Sequence, residues 1–212
     1  MADRAILVRK ITTFLFLTFA FSAVFYWLII SAGSLKANGN PYVHGLMWCP
    51  GAAALLTQLI YQHNISGLGW RWGGMNYMVL SYSIPLLYAL TAYGIVWTTG
   101  LGGFPNASFV ERVVNRFGGT PASAVSAYVA LSATLGVLGG CLSALGEEIG
   151  WRGFLVPHLA MLMSFPKLAL LSGAIWSVWH YPILVFGGYN AGSPIWYALP
   201  CFTVMVIGIS VV

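Results

Sequence analysis

Residues 11–32 read ITTFLFLTFAFSAVFYWLIISA, twenty-two positions without a charged side chain. As a helix rising 1.5 Å per residue this run is about 33 Å long, enough to cross a hydrocarbon layer of about 30 Å. Arg4, Arg9 and Lys10 stand just before it. A secretory signal has the same basic start, but its apolar region is only about 7–15 residues. The run is therefore read as a retained first span with its N-terminus in the cytoplasm.

The rest of the chain agrees with that reading. It is 59% hydrophobic and 6% charged, against about 25% charged in a soluble domain, and its mean hydropathy is +0.83. Further apolar runs occupy residues 42–61, 77–98, 122–145, 168–186 and 195 to the C-terminus, separated by segments rich in Gly, Pro or Asn. The expected fold is all-α: a polytopic transmembrane helix bundle with about six spans, forming a single membrane domain over residues 1–212. A net charge of +5 without a basic tract gives no nucleic-acid surface. Its basic residues are read as orientation signals and lipid-headgroup contacts. Cys49, Cys141 and Cys201 form no CxxC pair and are expected to be buried thiols packed as small apolar groups.

Between the third and fourth runs, Phe109, Val110, Val113, Val114 and Phe117 recur at helical spacing, with Glu111, Arg112 and Arg116 elsewhere on the wheel. This predicts a short amphipathic helix on the bilayer surface. Thr120 and Pro121 then have the N-cap and N1 chemistry that starts the next helix. The stretch from Gly67 to Gly74, with Trp70, Arg71 and Trp72, is read as an interfacial turn. Alternation of spans places Arg71 inside and Lys36, Arg112 and Arg116 outside. Asn64 and Asn106 begin glycosylation sequons, a pattern frequent by chance.

The chain has four acidic residues: Asp3, Glu111, Glu147 and Glu148. Two adjacent carboxylates at the end of an apolar run are costly, and such groups are kept mainly where something uses them. Glu148 and Arg152 stand at i and i+4, the favourable order for an ion pair, while Glu147 points about 100° away. One carboxylate can be neutralised while the other faces a cavity as a general base towards water. Trp176 and His180 form a second i, i+4 pair, and a histidine deep in an apolar helix requires a partner. It can hold water or stabilise an oxyanion together with the glutamate. His44, His63 and His158, near span ends, are read as structural. An HExxH zinc motif is absent, and a single aspartate excludes an aspartyl dyad. Glu147, Glu148 and His180 are capable of holding a metal, but Arg152 already supplies positive charge there, so no metal is assigned.

The string Glu147-Glu148-Ile149-Gly150-Trp151-Arg152-Gly153-Phe154-Leu155 resembles the first motif of the CPBP family of intramembrane glutamate proteases. This family includes type II CAAX prenyl endopeptidases and bacteriocin-processing and immunity-type (Abi-type) proteins. Trp176-Ser177-Val178-Trp179-His180 resembles its second motif, with Trp where Phe is common. The resemblance implies a metal-independent endopeptidase without a cofactor. Glu147 would be its water-activating base, Glu148 and Arg152 the supporting pair, and His180 the partner of Glu147 on the water. Trp151 and Trp176 are expected to contact substrate. The implied partners are membrane lipid and a membrane-associated or prenylated peptide, in the plasma membrane of a prokaryote or the endoplasmic reticulum of a eukaryote. A third family motif, a later His with Asn or a small residue four positions on, has no counterpart after His180. The chain is accordingly expected to be truncated, with final helices missing. The alternative from another class is a non-catalytic scaffold or immunity-type protein that keeps the Glu–Arg pair as a structural lock.

Overall fold

A backbone in lipid has no water to bond to, so each segment must satisfy its own N–H and C=O groups, and the helix does so locally. A computed structural model describes residues 2–33, 35, 41–70 and 73–210, and the elements found there are helical. They are α1 (Ala2–Ser31), α2 (Pro41–Gln62), α3 (Met75–Thr98), α4 (Ala107–Phe117) and α5 (Pro121–Leu131). A π-helical turn π1 (Ser132–Gly136) leads into α6 (Val137–Glu148), a second turn π2 (Ile149–Leu155) and α7 (Val156–Ala160). Then follow α8 (Phe165–Val185) and α9 (Ile195–Ile209). Hydroxyl groups follow the same logic. Thr18, Thr57, Thr134, Ser177 and Thr203 each donate to the carbonyl four residues earlier in their own helix.

Five helical stretches are long and apolar enough to cross a membrane by length and composition: residues 3–31, 41–62, 75–98, 121–160 and 165–185. The expected all-helical membrane bundle is thus borne out, with two corrections. The sixth run forms only α9, fifteen residues long, short of a full crossing. The fourth does not stop at Leu145. Helical residues continue through the glutamates to Ala160, and Pro157 is accommodated directly after π2, in the first turn of α7. Lys36, Arg71 and Trp72, used above for orientation and the interfacial turn, lie outside the described residues.

The chain divides into two compact units, residues 1–70 with 140–212 and residues 71–139. In the second unit, α3 buries no side chain, which suits a helix that is apolar on every face and has lipid as its solvent. The amphipathic helix is present as α4. Its five expected apolar positions are the buried or half-buried ones, and they pack onto α5, with Phe109 edge-on to Tyr128 at 5.3 Å. Asn106 caps α4 by accepting from Phe109 N at 3.0 Å. Thr120 and Ser123 form a reciprocal capping box at the start of α5.

In the first unit, the core joins α1, α2, π2, α7 and α8. Phe14 stacks on Phe154 at 4.8 Å and meets Trp151 edge-on at 5.8 Å. A smaller cluster of Leu184, Phe202 and Val206 ties α9 to α8. His158 is structural in the expected sense, donating from Nδ1 to Phe154 O at 2.7 Å and stacking on the Phe154 ring. The cysteines need correction: Cys49 is buried, but Cys141 and Cys201 lie on exposed helix faces. An apolar sequence context does not distinguish a protein-facing from a lipid-facing position.

Candidate functional site

Two features of the backbone fix Glu147. The first is a seam of glycines. A Cβ on Gly146 would lie 2.6 Å from Trp48 Cα, and one on Gly150 would lie 2.4 Å from Pro50 Cβ. A Cβ on Gly51 would lie 2.7 Å from Gly146 O. The backbones of α2 and of the helix bearing the glutamates therefore touch on either side of Glu147. Small residues permit this approach, which drives helix association where lipid removes the hydrophobic term. The second feature is π2, which begins directly after Glu148. A π turn widens the helix and turns the following side chains relative to an α-helix, and it recurs at functional sites. Here Ile149, Trp151, Phe154 and Leu155 are all buried.

The two glutamates are unlike. Glu147 is only 6% exposed, and its Oε2 accepts a hydrogen bond from Trp176 Nε1 at 2.8 Å. Glu148 is 49% exposed at its side chain and pairs with Arg152, itself 34% exposed, at 2.9 Å. The Arg152 guanidinium also sits 4.2 Å above the Trp176 ring, a cation–π contact. The expected i, i+4 pairing of Glu148 with Arg152 is present, and the carboxylate left unpaired by Arg152 is the buried one.

His180 lies one turn beyond Trp176 on α8. Its Nδ1 is 2.9 Å from Trp176 O. A carbonyl only accepts, so Nδ1 carries the proton and donates, leaving the Nε2 lone pair free. The ring sits among Trp179 at 4.7 Å, Phe202 at 5.0 Å, Trp176 at 5.9 Å and Tyr189 at 6.3 Å. Among the described residues no hydrogen bond joins His180 to Glu147; Trp176 links them, holding the carboxylate with its N–H and the imidazole with its C=O. Trp151 is 3% exposed and packs between Phe14 and Trp179.

Several participants were not read from the sequence. Tyr26 donates to Trp179 O, and Trp179 Nε1 donates to Ser22 Oγ at 2.7 Å. Helix α1 thus fixes the turn of α8 that carries His180. Ser22 and Tyr26 share the i, i+4 face of an apolar span, a signal that was available. The seam was available too, as small residues at 146 and 150. Tyr189, in the loop after α8, had no local signature. Burial, and secondarily the nearby Glu147 carboxylate, hold its phenol above the ordinary range, so it remains an O–H donor at neutral pH. Among the described residues no group of three His, Cys, Asp or Glu side chains is placed to hold a metal ion.

Residues 129–211, which contain every site residue named above from Glu147 to Tyr189, match the family described as Type II CAAX prenyl endopeptidase Rce1-like. CAAX prenyl protease 2 of Methanococcus maripaludis is 37% identical over 73 residues, covering 32% of this chain and 27% of that relative. The match thus spans about a quarter of the relative's length. No solved structure matches the chain significantly. The resemblance carried by the two motifs is borne out, and with the five apolar helices it describes an integral membrane protein.

Proposed function

We propose that this chain is the core of an intramembrane endopeptidase that hydrolyses a peptide bond with a water activated by Glu147, without a metal. The observation that carries the reading is the asymmetry of the Glu147 carboxylate. It is buried, its Oε2 is occupied by Trp176, and among the described residues it has no cationic partner at ion-pair distance. That leaves Oε1 as the base. Oε1 takes a proton from water as the water oxygen bonds to the scissile carbonyl carbon. The carbonyl π pair moves onto its oxygen. When the C–N bond breaks, Glu147 returns the proton to the amine nitrogen. His180, with Nε2 unprotonated, accepts a second hydrogen bond from the water. Glu148 and Arg152 hold the outer face of Trp176. The substrate class suggested by the matched family is a prenylated C-terminal peptide, recognised from the membrane.

The test is cleavage of a fluorogenic prenylated peptide by purified protein in detergent, comparing wild type with Glu147→Gln and adding a chelator arm. Removing the base should lower kcat by at least about a hundredfold with unchanged thermal unfolding, and chelation should have no effect. Undiminished turnover in Glu147→Gln would sink the assignment. A well-folded wild type inactive on several lipidated peptides would favour the scaffold alternative.

A further inference from the structure

Helix α1 is thirty residues long, about 45 Å, and outruns a hydrocarbon layer of about 30 Å. Its charge-free stretch from Ile11 fills that layer, so its first turns, with Asp3, Arg4, Arg9 and Lys10, stand at headgroup depth. The ends of α2 and α7 meet it there. Together the three helix ends border an open cavity of about 630 Å³, walled on its polar side by Asp3, Arg4, Lys10, Gln62 and His158. That size lies within the range of small-molecule sites, about 300–1,000 Å³. The Glu147 site uses none of these residues.

His158 gives the cavity a fixed wall. It is 8% exposed, and its ring is held by stacking on Phe154 and by Nδ1 donation to Phe154 O. With the proton on Nδ1, Nε2 is an acceptor. Nε2 has no hydrogen-bond partner among the described residues, yet it is not sealed from solvent, so it opens onto the cavity that His158 borders. Among the described residues neither Arg4 nor Lys10 makes an ion pair. Two cations against the single carboxylate of Asp3 leave one net positive charge on this wall. The His158 Nε2, the Asp3 carboxylate and the Gln62 amide oxygen all accept hydrogen bonds. The cavity therefore suits a singly negative group flanked by hydrogen-bond donors. A phosphodiester carrying hydroxyl groups has both features, whereas a choline headgroup has the phosphate but no donor. Leu7 and Leu162 add apolar wall, which a free phosphate does not use and the first carbons of acyl chains do.

We propose that this cavity is a specific site for one phospholipid with a singly anionic, hydroxylated headgroup of the phosphatidylglycerol type. Arg4 and Lys10 donate to the phosphodiester oxygens, the guanidinium through its fork of N–H groups and the ammonium as a point charge. His158 Nε2 and Asp3 accept from the headgroup hydroxyls, and Gln62 closes the side formed by α2. The bound lipid bridges the ends of α1, α2 and α7. No covalent bond changes, and the site stands independently of the endopeptidase reading.

Native mass spectrometry of the purified full chain in an uncharged detergent counts the bound lipid. The ligands are short-chain phosphatidylglycerol, phosphatidylethanolamine and phosphatidylcholine, and the soluble headgroup glycerophosphoglycerol. One phosphatidylglycerol should bind saturably, with the two zwitterionic lipids weaker by about tenfold or more, the worth of a hydrogen bond to a charged group. Arg4→Gln combined with Lys10→Gln should weaken phosphatidylglycerol by a similar factor, with lipid-free thermal unfolding unchanged, since neither side chain is buried. Arg9→Gln removes an equal charge from the same turns but outside the cavity, and should leave binding unchanged. His158→Phe keeps a ring to stack on Phe154 and should erase most of the preference for phosphatidylglycerol over phosphatidylcholine. If that variant unfolds, the charge variants decide. An equal loss in Arg9→Gln means diffuse attraction to basic residues and overturns the site. Equal binding of phosphatidylcholine overturns the headgroup assignment. Glycerophosphoglycerol binding as tightly as the lipid overturns the membrane source in favour of a soluble phosphodiester.

Discussion

Trp176 makes three contacts of different chemistry: its N–H with Glu147, its π face with Arg152 and its carbonyl with His180. Substitutions can remove them selectively. Trp176→Phe drops only the N–H. Because it keeps the aromatic face and the carbonyl, it should lower turnover by no more than about tenfold, in line with the net value of one hydrogen bond. Trp176→Ala also removes the platform under Arg152 and should cost considerably more. Arg152→Lys keeps the charge but loses the flat stacking surface, and it should weaken turnover while leaving thermal unfolding in detergent nearly unchanged, since the Glu148 pair is half-exposed. Parallel kcat and unfolding measurements check all three. The sequence disclosed the i, i+4 relations at this scale because they are properties of one helix. It did not disclose that a tryptophan 29 positions away bonds to Glu147, because that depends on how α8 is turned by α1.

At the scale of elements, position is set by clearance. Gly150→Ala would place a methyl against Pro50, part of a helix that cannot yield. The expected cost is about 1–3 kcal/mol, with a larger loss of turnover because Glu147 moves with its backbone. Gly140→Ala, facing open space in the same helical stretch, is the control. It should be neutral or stabilising by up to about 1 kcal/mol, the helix-propensity difference. Thermal unfolding of both variants in one detergent decides the comparison; equal behaviour would mean that the seam is not tightly packed. Helix identity was legible here because hydropathy and caps are local: α4 follows the five apolar positions, and Thr120 caps α5 as its side chain predicts. Helix ends were less legible. Pro157 reads as a breaker until its place in a first turn is known.

For the whole molecule, the surrounding lipid decides which apolar side chains count as core. Cys141 and Cys201 lie on outward faces and Cys49 lies inside, although all three have similar neighbours in sequence. A lipophilic maleimide should therefore label the first two in the folded protein in detergent, and Cys49 only after denaturation. Mass spectrometry of labelled peptides reads the result directly, and early labelling of Cys49 would contradict the packing of α2. The membrane class of the fold was plain from composition alone. The inward and outward faces were not, because a lipid-facing residue and a core residue satisfy the same hydrophobic preference.

The close approach of Gly153 to Leu68 O, 2.9 Å from where its Cβ would stand, changes how the first motif should be understood as a pattern. Its letters record two separate histories. On the proposed reading Glu147, Glu148 and Arg152 answer to reactivity and charge pairing, whereas Gly150 and Gly153 answer to the girth of a neighbouring helix and loop. A descendant that lost its chemistry but kept its architecture would let the first set drift and retain the second. A descendant with a remodelled neighbour would do the reverse. Counting motif letters as equal votes for activity therefore conflates two tests, and the glycines vote only on shape.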